Sequence, residues 1–181
     1  MSYLLSKEQL NSVRTETRYF SAINESENAR KRSAYSYEVS IFLSHKHTDK
    51  LVLENVIAML AGLGVNVYVD WNDYGMPSKT TGYTASRIKQ KIRECKKFIL
   101  LATEDAIASK WCNWELGYGD AQKYPNNIAI MPITDKRGDL FSGSEYLQTY
   151  PVIKTDYEYN LTGCYVEYSG NRISLVEWIK K

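Results

Sequence analysis

The feature that most constrains this chain is a set of four short apolar runs and the spacing of what lies between them. YEVSIFL (37–43), VNVYVDW (65–71), FILLA (98–102) and IAIMPI (128–133) have the length and the β-branched or aromatic content of strands. Between the first two, Leu53, Val56, Ile57, Leu60 and Leu63 recur at helical spacing, with Thr48 as the expected N-cap and Gly62 and Gly64 as terminators. Ala85, Ile88, Ile92 and Cys95 align the same way after a long loop that carries Gly75, Pro77 and Gly82. SKWCNWELGYGDAQKY is the next helical segment, and YPVI (150–153) a fifth strand. The tail CYVEYSGNRISLVEWIKK reads as a strand, a turn and a last short strand or helix. Strands that alternate with helices imply a parallel sheet, and continuously apolar strands imply one covered on both faces. The expected fold class is therefore α/β, a flavodoxin-like parallel sheet of about five strands with helices on both faces.

Ahead of this pattern, SKEQ at 6–9 has the form of a capping box and opens a helix on which Leu10, Val13, Thr17 and Phe20 share a face. The polar stretch NESENARKRS (24–33) then reads as a linker. Residues 1–33 are thus expected to be a helical extension and linker, and residues 34–181 the domain. A chain of 181 residues is long enough for one such domain with a sizeable core. A net charge of +2 gives no reason to expect nucleic acid as a partner. No apolar run reaches the ~20 residues that a membrane span needs. The opening MSYLLSKEQLN lacks a signal-peptide pattern, and the three cysteines, Cys95, Cys112 and Cys164, are an odd number and widely spaced. A cytoplasmic location is expected, and the sequon Asn160-Leu161-Thr162 is then without use.

Parallel sheets of this kind bind ligands beyond the carboxyl ends of their strands. Three segments reach that edge: 44–48, 71–83 and 103–115. In the third, Trp111, Glu115, Tyr118 and Gln122 form one helical stripe, which Trp114 and Ala121 widen toward the sheet. Either the tryptophans are core and Glu115 meets solvent, or the aromatics wall a pocket around a working carboxylate. Gly117 and Gly119, each costing ~1 kcal/mol inside a helix, point to something close to the backbone. In the first segment, Ser44, His45, Lys46 and His47 make a donor-rich loop suited to phosphate oxygens. Two histidines at i and i+2 with no third ligand nearby do not make a metal site, and none is expected. Asp70 and Trp71 end the second strand, where Trp71 offers a flat surface to a purine. Arg87, Lys89, Lys91, Arg93, Lys96 and Lys97 read as a solvated helix face, and Cys112 as packing.

Together these segments resemble a Toll/interleukin-1 receptor (TIR) domain from about Tyr37 to the chain end. YEVSIFLSHKHTDK looks like that family's opening strand and charged loop, and VYVDWNDYGMP like its second strand and the long loop after it. KKFILLATEDAIASKWCNWE looks like its third strand followed by Ser-x-Trp-Cys-x-x-Glu, carried here by Ser109, Trp111, Cys112 and Glu115. The pattern is similar to TIR members that cleave NAD in plant immune receptors, animal axon-degeneration proteins and bacterial antiphage systems. The stand-alone format resembles the signal-producing subunit of Thoeris-type defence. This chain departs from relatives that carry tyrosine or arginine after the serine, having His45 and Lys46 instead.

The resemblance implies an NAD+ nucleosidase with Glu115 as catalytic residue. Ser44, His45, Lys46, Asp70, Trp71 and Trp111 are the expected substrate-binding residues. NAD+ is the substrate, with no separate cofactor. Self-association through the loop 72–83 and a downstream effector reached by a diffusible nucleotide are implied as well. The bond to nicotinamide breaks through an oxocarbenium-like ribosyl cation, and nicotinamide leaves as a neutral pyridine, so one carboxylate suffices. Capture by water would give ADP-ribose, and capture by the substrate's own adenine or ribose hydroxyl a cyclic isomer. Two other readings compete: an adaptor that signals by assembly alone and has no need of Glu115, and a nucleoside deoxyribosyltransferase-like N-glycosidase.

Overall fold

The computed structural model describes residues 2–13, 39–70, 81–136, 138–141, 143–156 and 163–181. In chain order its elements are β1 (Leu5–Ser6), α1 (Lys7–Val13), β2 (Ser40–Ser44), α2 (Lys50–Gly62), β3 (Asn66–Tyr68), α3 (Gly82–Glu94), β4 (Lys97–Ala102), α4 (Glu104–Ala108), α5 (Lys110–Lys123), β5 (Ile128–Thr134), β6 (Val152–Thr155), β7 (Cys164–Tyr168), β8 (Asn171–Ser174) and α6 (Leu175–Lys180). One sheet runs β3-β2-β4-β5-β6-β7-β8. The strands from β3 to β6 are mutually parallel, which is the expected five-stranded core. Counted from β2, they follow the 2-1-3-4-5 order of flavodoxin-like sheets. The tail resolves into both of its expected options: β7 and β8 extend the sheet as an antiparallel pair, and α6 closes the chain.

Side chains alternate across each buried strand, and this divides the core in two. Ile41, Leu43, Ile99, Leu101, Ala129 and Met131 face α2 and α6, where Val52, Leu53, Val56, Leu60 and Trp178 pack on them. Phe42, Phe98, Leu100, Ile128 and Ile130 face the other way, onto Ile88 and Ile92 of α3 and Cys112 and Leu116 of α5. Each large apolar side chain buried in this way contributes about 1.5–3 kcal/mol. That packing fixes the height and rotation of α5 over the sheet. No helix among the described residues is long and apolar enough to cross a membrane.

The first residues are part of this sheet. The capping box forms, with Gln9 N–H donating to Ser6 Oγ and Ser6 N–H to Gln9 Oε1. It holds β1 in parallel register with the end of β5, Leu5 opposite Ile133, while Tyr3 bridges Thr155 of β6. Leu5 and Leu10 are fully buried. The linker 24–33 and the boundary at 33 and 34 lie outside the described residues.

Three local expectations, at Thr48, Gly117 and Lys97, are corrected, and the one at Gly119 holds. Thr48 does not cap α2: it sits in a 3₁₀ turn, His47–Asp49, and its hydroxyl donates to Asp105. Gly119 does make room for something, but that something is the Phe98 ring, which an added Cβ would meet at 2.9 Å. Gly117 has open space around it. Lys97 is buried rather than on a solvated face, because it starts β4; its ammonium donates to Asn127 Oδ1 at 2.6 Å and lies 4.6 Å from the Trp178 ring centroid.

Candidate active site

The order of the parallel strands reverses at β2, which has β3 on one side and β4 on the other. Open α/β sheets bind ligands outside the carboxyl ends of their strands at such a reversal, and here these are the ends of β2 and β4. Ser44 is the last residue of β2 and falls on the same face as Phe42, toward α5. On α5 the buried positions are Cys112, Glu115, Leu116 and Gly119, an i, i+3, i+4, i+7 stripe. Glu115 therefore occupies a place where an ordinary amphipathic helix would put an apolar residue. It is 4% exposed, and the Ser44 hydroxyl donates to its Oε2 at 2.6 Å.

Burial dominates the electrostatics of this carboxyl. It pushes the Glu115 pKa up to about 8, and the negative charge of Asp70 acts in the same direction. The Ser44 hydrogen bond and the nearby His47 offset part of that rise. A buried carboxyl that retains its proton near neutrality, at the ligand edge of an α/β sheet, is where acid, base or charge-stabilising chemistry is found.

The loop after β2 wraps this pair. The Cys112 thiol donates to the His45 carbonyl at 3.3 Å, and Thr103, at the end of β4, donates to Asp49. Burial pushes the Cys112 thiol up to about 11, which agrees with packing and not with a nucleophile. His45 is buried, with Nδ1 3.0 Å from the Leu43 carbonyl and Nε2 3.6 Å from Asp70 Oδ1. His47 is more exposed, and its Nε2 lies 3.2 Å from Asp70 Oδ2. The Asp70 hydrogen bond raises the pKa of His47, whereas desolvation lowers that of His45. Lys46 between them is half-buried.

Of the residues expected to bind substrate, Ser44, His45 and Asp70 thus gather around Glu115 with His47. The aromatic wall differs from expectation. Trp111 and Trp114 are half-buried and stack on each other, centroids 4.8 Å apart, and Trp114 continues onto Tyr118. The Lys89 ammonium lies 5.6 Å from the Trp114 centroid. This ladder occupies the flank of α5, while Glu115 points to the sheet; Ala121 and Gln122 are exposed. Trp71 and residues 72–80 of the following loop lie outside the described residues. Sequence reasoning missed the hydroxyl that grips Glu115 and the closure of Asp70 onto both histidines. The only signals available for them were a serine ending a buried strand and an aspartate ending the next.

Among known proteins, the family model described as TIR domain matches residues 41–158. A protein of Bacillus cereus (strain MSX-D12) named "Probable 3' cyclic ADP-D-ribose synthase ThsB'" is 35% identical over 116 residues, covering 62% of this chain and 59% of that protein. One of Cytobacillus dafuensis named "Putative cyclic ADP-D-ribose synthase TIR2" is 27% identical over 97 residues, covering 52% of this chain and 24% of that protein. Each match spans less than two thirds of the relative's own length.

Proposed function

The chain belongs to the TIR domain family, and from that premise we propose that it cleaves NAD+ between ribose C1′ and nicotinamide, with Glu115 as the catalytic carboxylate. The observation that carries this reading is the buried Glu115 carboxyl held by Ser44 at the strand-order reversal. A TIR domain that acted only by assembly would keep an apolar residue there, since a buried carboxyl costs stability. Ser44 occupies one carboxylate oxygen and orients the other toward the ribose. As the glycosidic bond breaks, nicotinamide departs with the bonding pair and the ribosyl carbon becomes cationic. The Glu115 carboxylate stabilises that charge in a site of low dielectric.

The cation is then captured by the substrate's own adenine or ribose hydroxyl, giving a cyclic ADP-ribose isomer. The names of both relatives support cyclisation over simple hydrolysis. Such a product is a diffusible nucleotide that suits signalling to an effector, as in Thoeris-type antiphage defence. Lys46 and His47 serve the pyrophosphate, Trp71 the adenine, and Trp111 the flank of the pocket. Assembly through the loop 72–83 completes the site, so specific activity should rise with protein concentration from nanomolar to micromolar. A constant value across that dilution series, with a monomer by light scattering, would refute the assembly step.

The test of the reaction is incubation with NAD+ and, in parallel, with deoxynucleosides, following free base and product mass. Nicotinamide release with a product lighter than ADP-ribose by one water is expected. Turnover of deoxynucleosides instead would transfer the protein to the deoxyribosyltransferase reading. Turnover of neither substrate at any protein concentration would overturn the enzymatic reading.

A further inference from the structure

The loop after β2 and the end of β3 bring three groups of metal-ligand type together. His45, His47 and Asp70 each offer one ligand atom, and these atoms all lie within 4.8 Å of one another. We propose that His45 Nε2, His47 Nε2 and the Asp70 carboxylate form a binding site for a divalent transition-metal ion of the zinc class.

The tautomer of His45 is the first argument. Its Nδ1 faces the Leu43 carbonyl at 3.0 Å, and a carbonyl can only accept, so Nδ1 carries a proton. With that proton on Nδ1, Nε2 of the neutral ring presents a lone pair. That atom is buried and has no hydrogen-bond partner. Its nearest acidic neighbour, Asp70 Oδ1 at 3.6 Å, is too far for a hydrogen bond. A buried lone pair opposite a carboxylate oxygen is unfavourable unless a cation lies between them. Backbone carbonyls commonly hold the remote nitrogen of metal-bound histidines in this way.

The distances fit as well. Bonds of about 2.0–2.2 Å to nitrogen and oxygen in a tetrahedron separate neighbouring ligand atoms by roughly 3.4 Å. The observed separations from Asp70 Oδ1, 3.6 Å to His45 Nε2 and 3.3 Å to His47 Nε2, bracket that value. The remaining adjustment falls on His47, whose side chain is 65% exposed and free to close. Two imidazoles and one carboxylate suit Zn²⁺, Co²⁺ or Ni²⁺, whereas Mg²⁺ and Ca²⁺ prefer all-oxygen sets. Three protein ligands leave a fourth position for water or another ligand. Binding would release the proton that His47 shares with Asp70.

This site shares its residues with the proposed NAD+ pocket, so it is tested without substrate, and metal binding and turnover can fail separately. Chelator-treated protein is titrated with ZnCl2 by calorimetry and with CoCl2 by visible absorption. One ion per chain is expected, with four-coordinate Co²⁺ bands that lack thiolate charge transfer. His47→Ala and Asp70→Asn, both away from the apolar core, should retain the wild-type circular dichroism and weaken binding about tenfold or more. Absence of saturable binding would overturn the proposal. So would equal affinity in both variants, a thiolate signature from the cysteines, or nitrogen NMR showing His45 doubly protonated at neutral pH in metal-free protein.

Discussion

Ser44 and Glu115 are 71 residues apart in the chain, yet the serine hydroxyl donates to the glutamate carboxylate at 2.6 Å, and both side chains are buried. The contact links the end of β2 to the sheet-facing stripe of α5, at the place where the strand order reverses. It gives an ionisable group a fixed orientation in a place where it would otherwise only cost stability.

Glu115→Gln should abolish nicotinamide release while leaving the fold intact, because the amide keeps the shape and removes the charge. It should also change the response of stability to pH. The folded protein holds the Glu115 proton up to about pH 8, while the unfolded chain loses it near its ordinary value of 4.5. Wild-type stability therefore falls as pH rises through that window. The variant lacks that loss and should be more stable than wild type at pH 9 by roughly 2–4 kcal/mol. Parallel urea-unfolding curves at pH 5 and pH 9 that show no difference in this response would contradict the buried carboxyl.

In chelator-treated wild type, kcat/KM for NAD+ should rise with pH and level off above an inflection near 8, the value to which burial lifts Glu115. The groups that act on this carboxyl are Asp70 from the end of β3, His47 from the loop after β2, and Ser44. A profile already flat by pH 6 would mean that the working group is an ordinary carboxylate elsewhere.

Ser44→Ala removes the hydrogen bond that holds the Glu115 pKa down. The kcat/KM at pH 7 should drop roughly tenfold to a hundredfold, as loss of a hydrogen bond to a charged group does. Its inflection should also move to higher pH, so part of the activity returns in alkali. A drop of equal size at every pH would show that Ser44 acts on substrate alone.

The two glycines of α5 should respond oppositely to alanine. Gly119→Ala drives a methyl into the Phe98 ring at 2.9 Å and should destabilise by about 1–3 kcal/mol. Gly117→Ala enters open space on an exposed helical turn and should stabilise by roughly 0.5–1 kcal/mol. Thermal melts decide both, and melting temperatures that shift in the same direction would contradict the packing described.

The sequence by itself determined the layers. Continuous apolar runs at β4 and β5, the helical spacing on α2 and α3, and the capping box at Ser6 and Gln9 are local patterns, and each formed where its period placed it. It also marked Glu115, through the residues around it and the strand before it. Which way Glu115 points was decided by tertiary structure, because Trp111 and Trp114 share α5 with it and either face could have met the sheet. Phe98 packs where Gly119 leaves room, and that contact turns Glu115 toward Ser44 and the tryptophans toward the flank. The group of His45, His47 and Asp70 was likewise invisible in the chain. Its third member arrives only when β3 pairs beside β2 and carries Asp70 to the loop, and parallel pairing across a long crossover leaves no mark in local spacing.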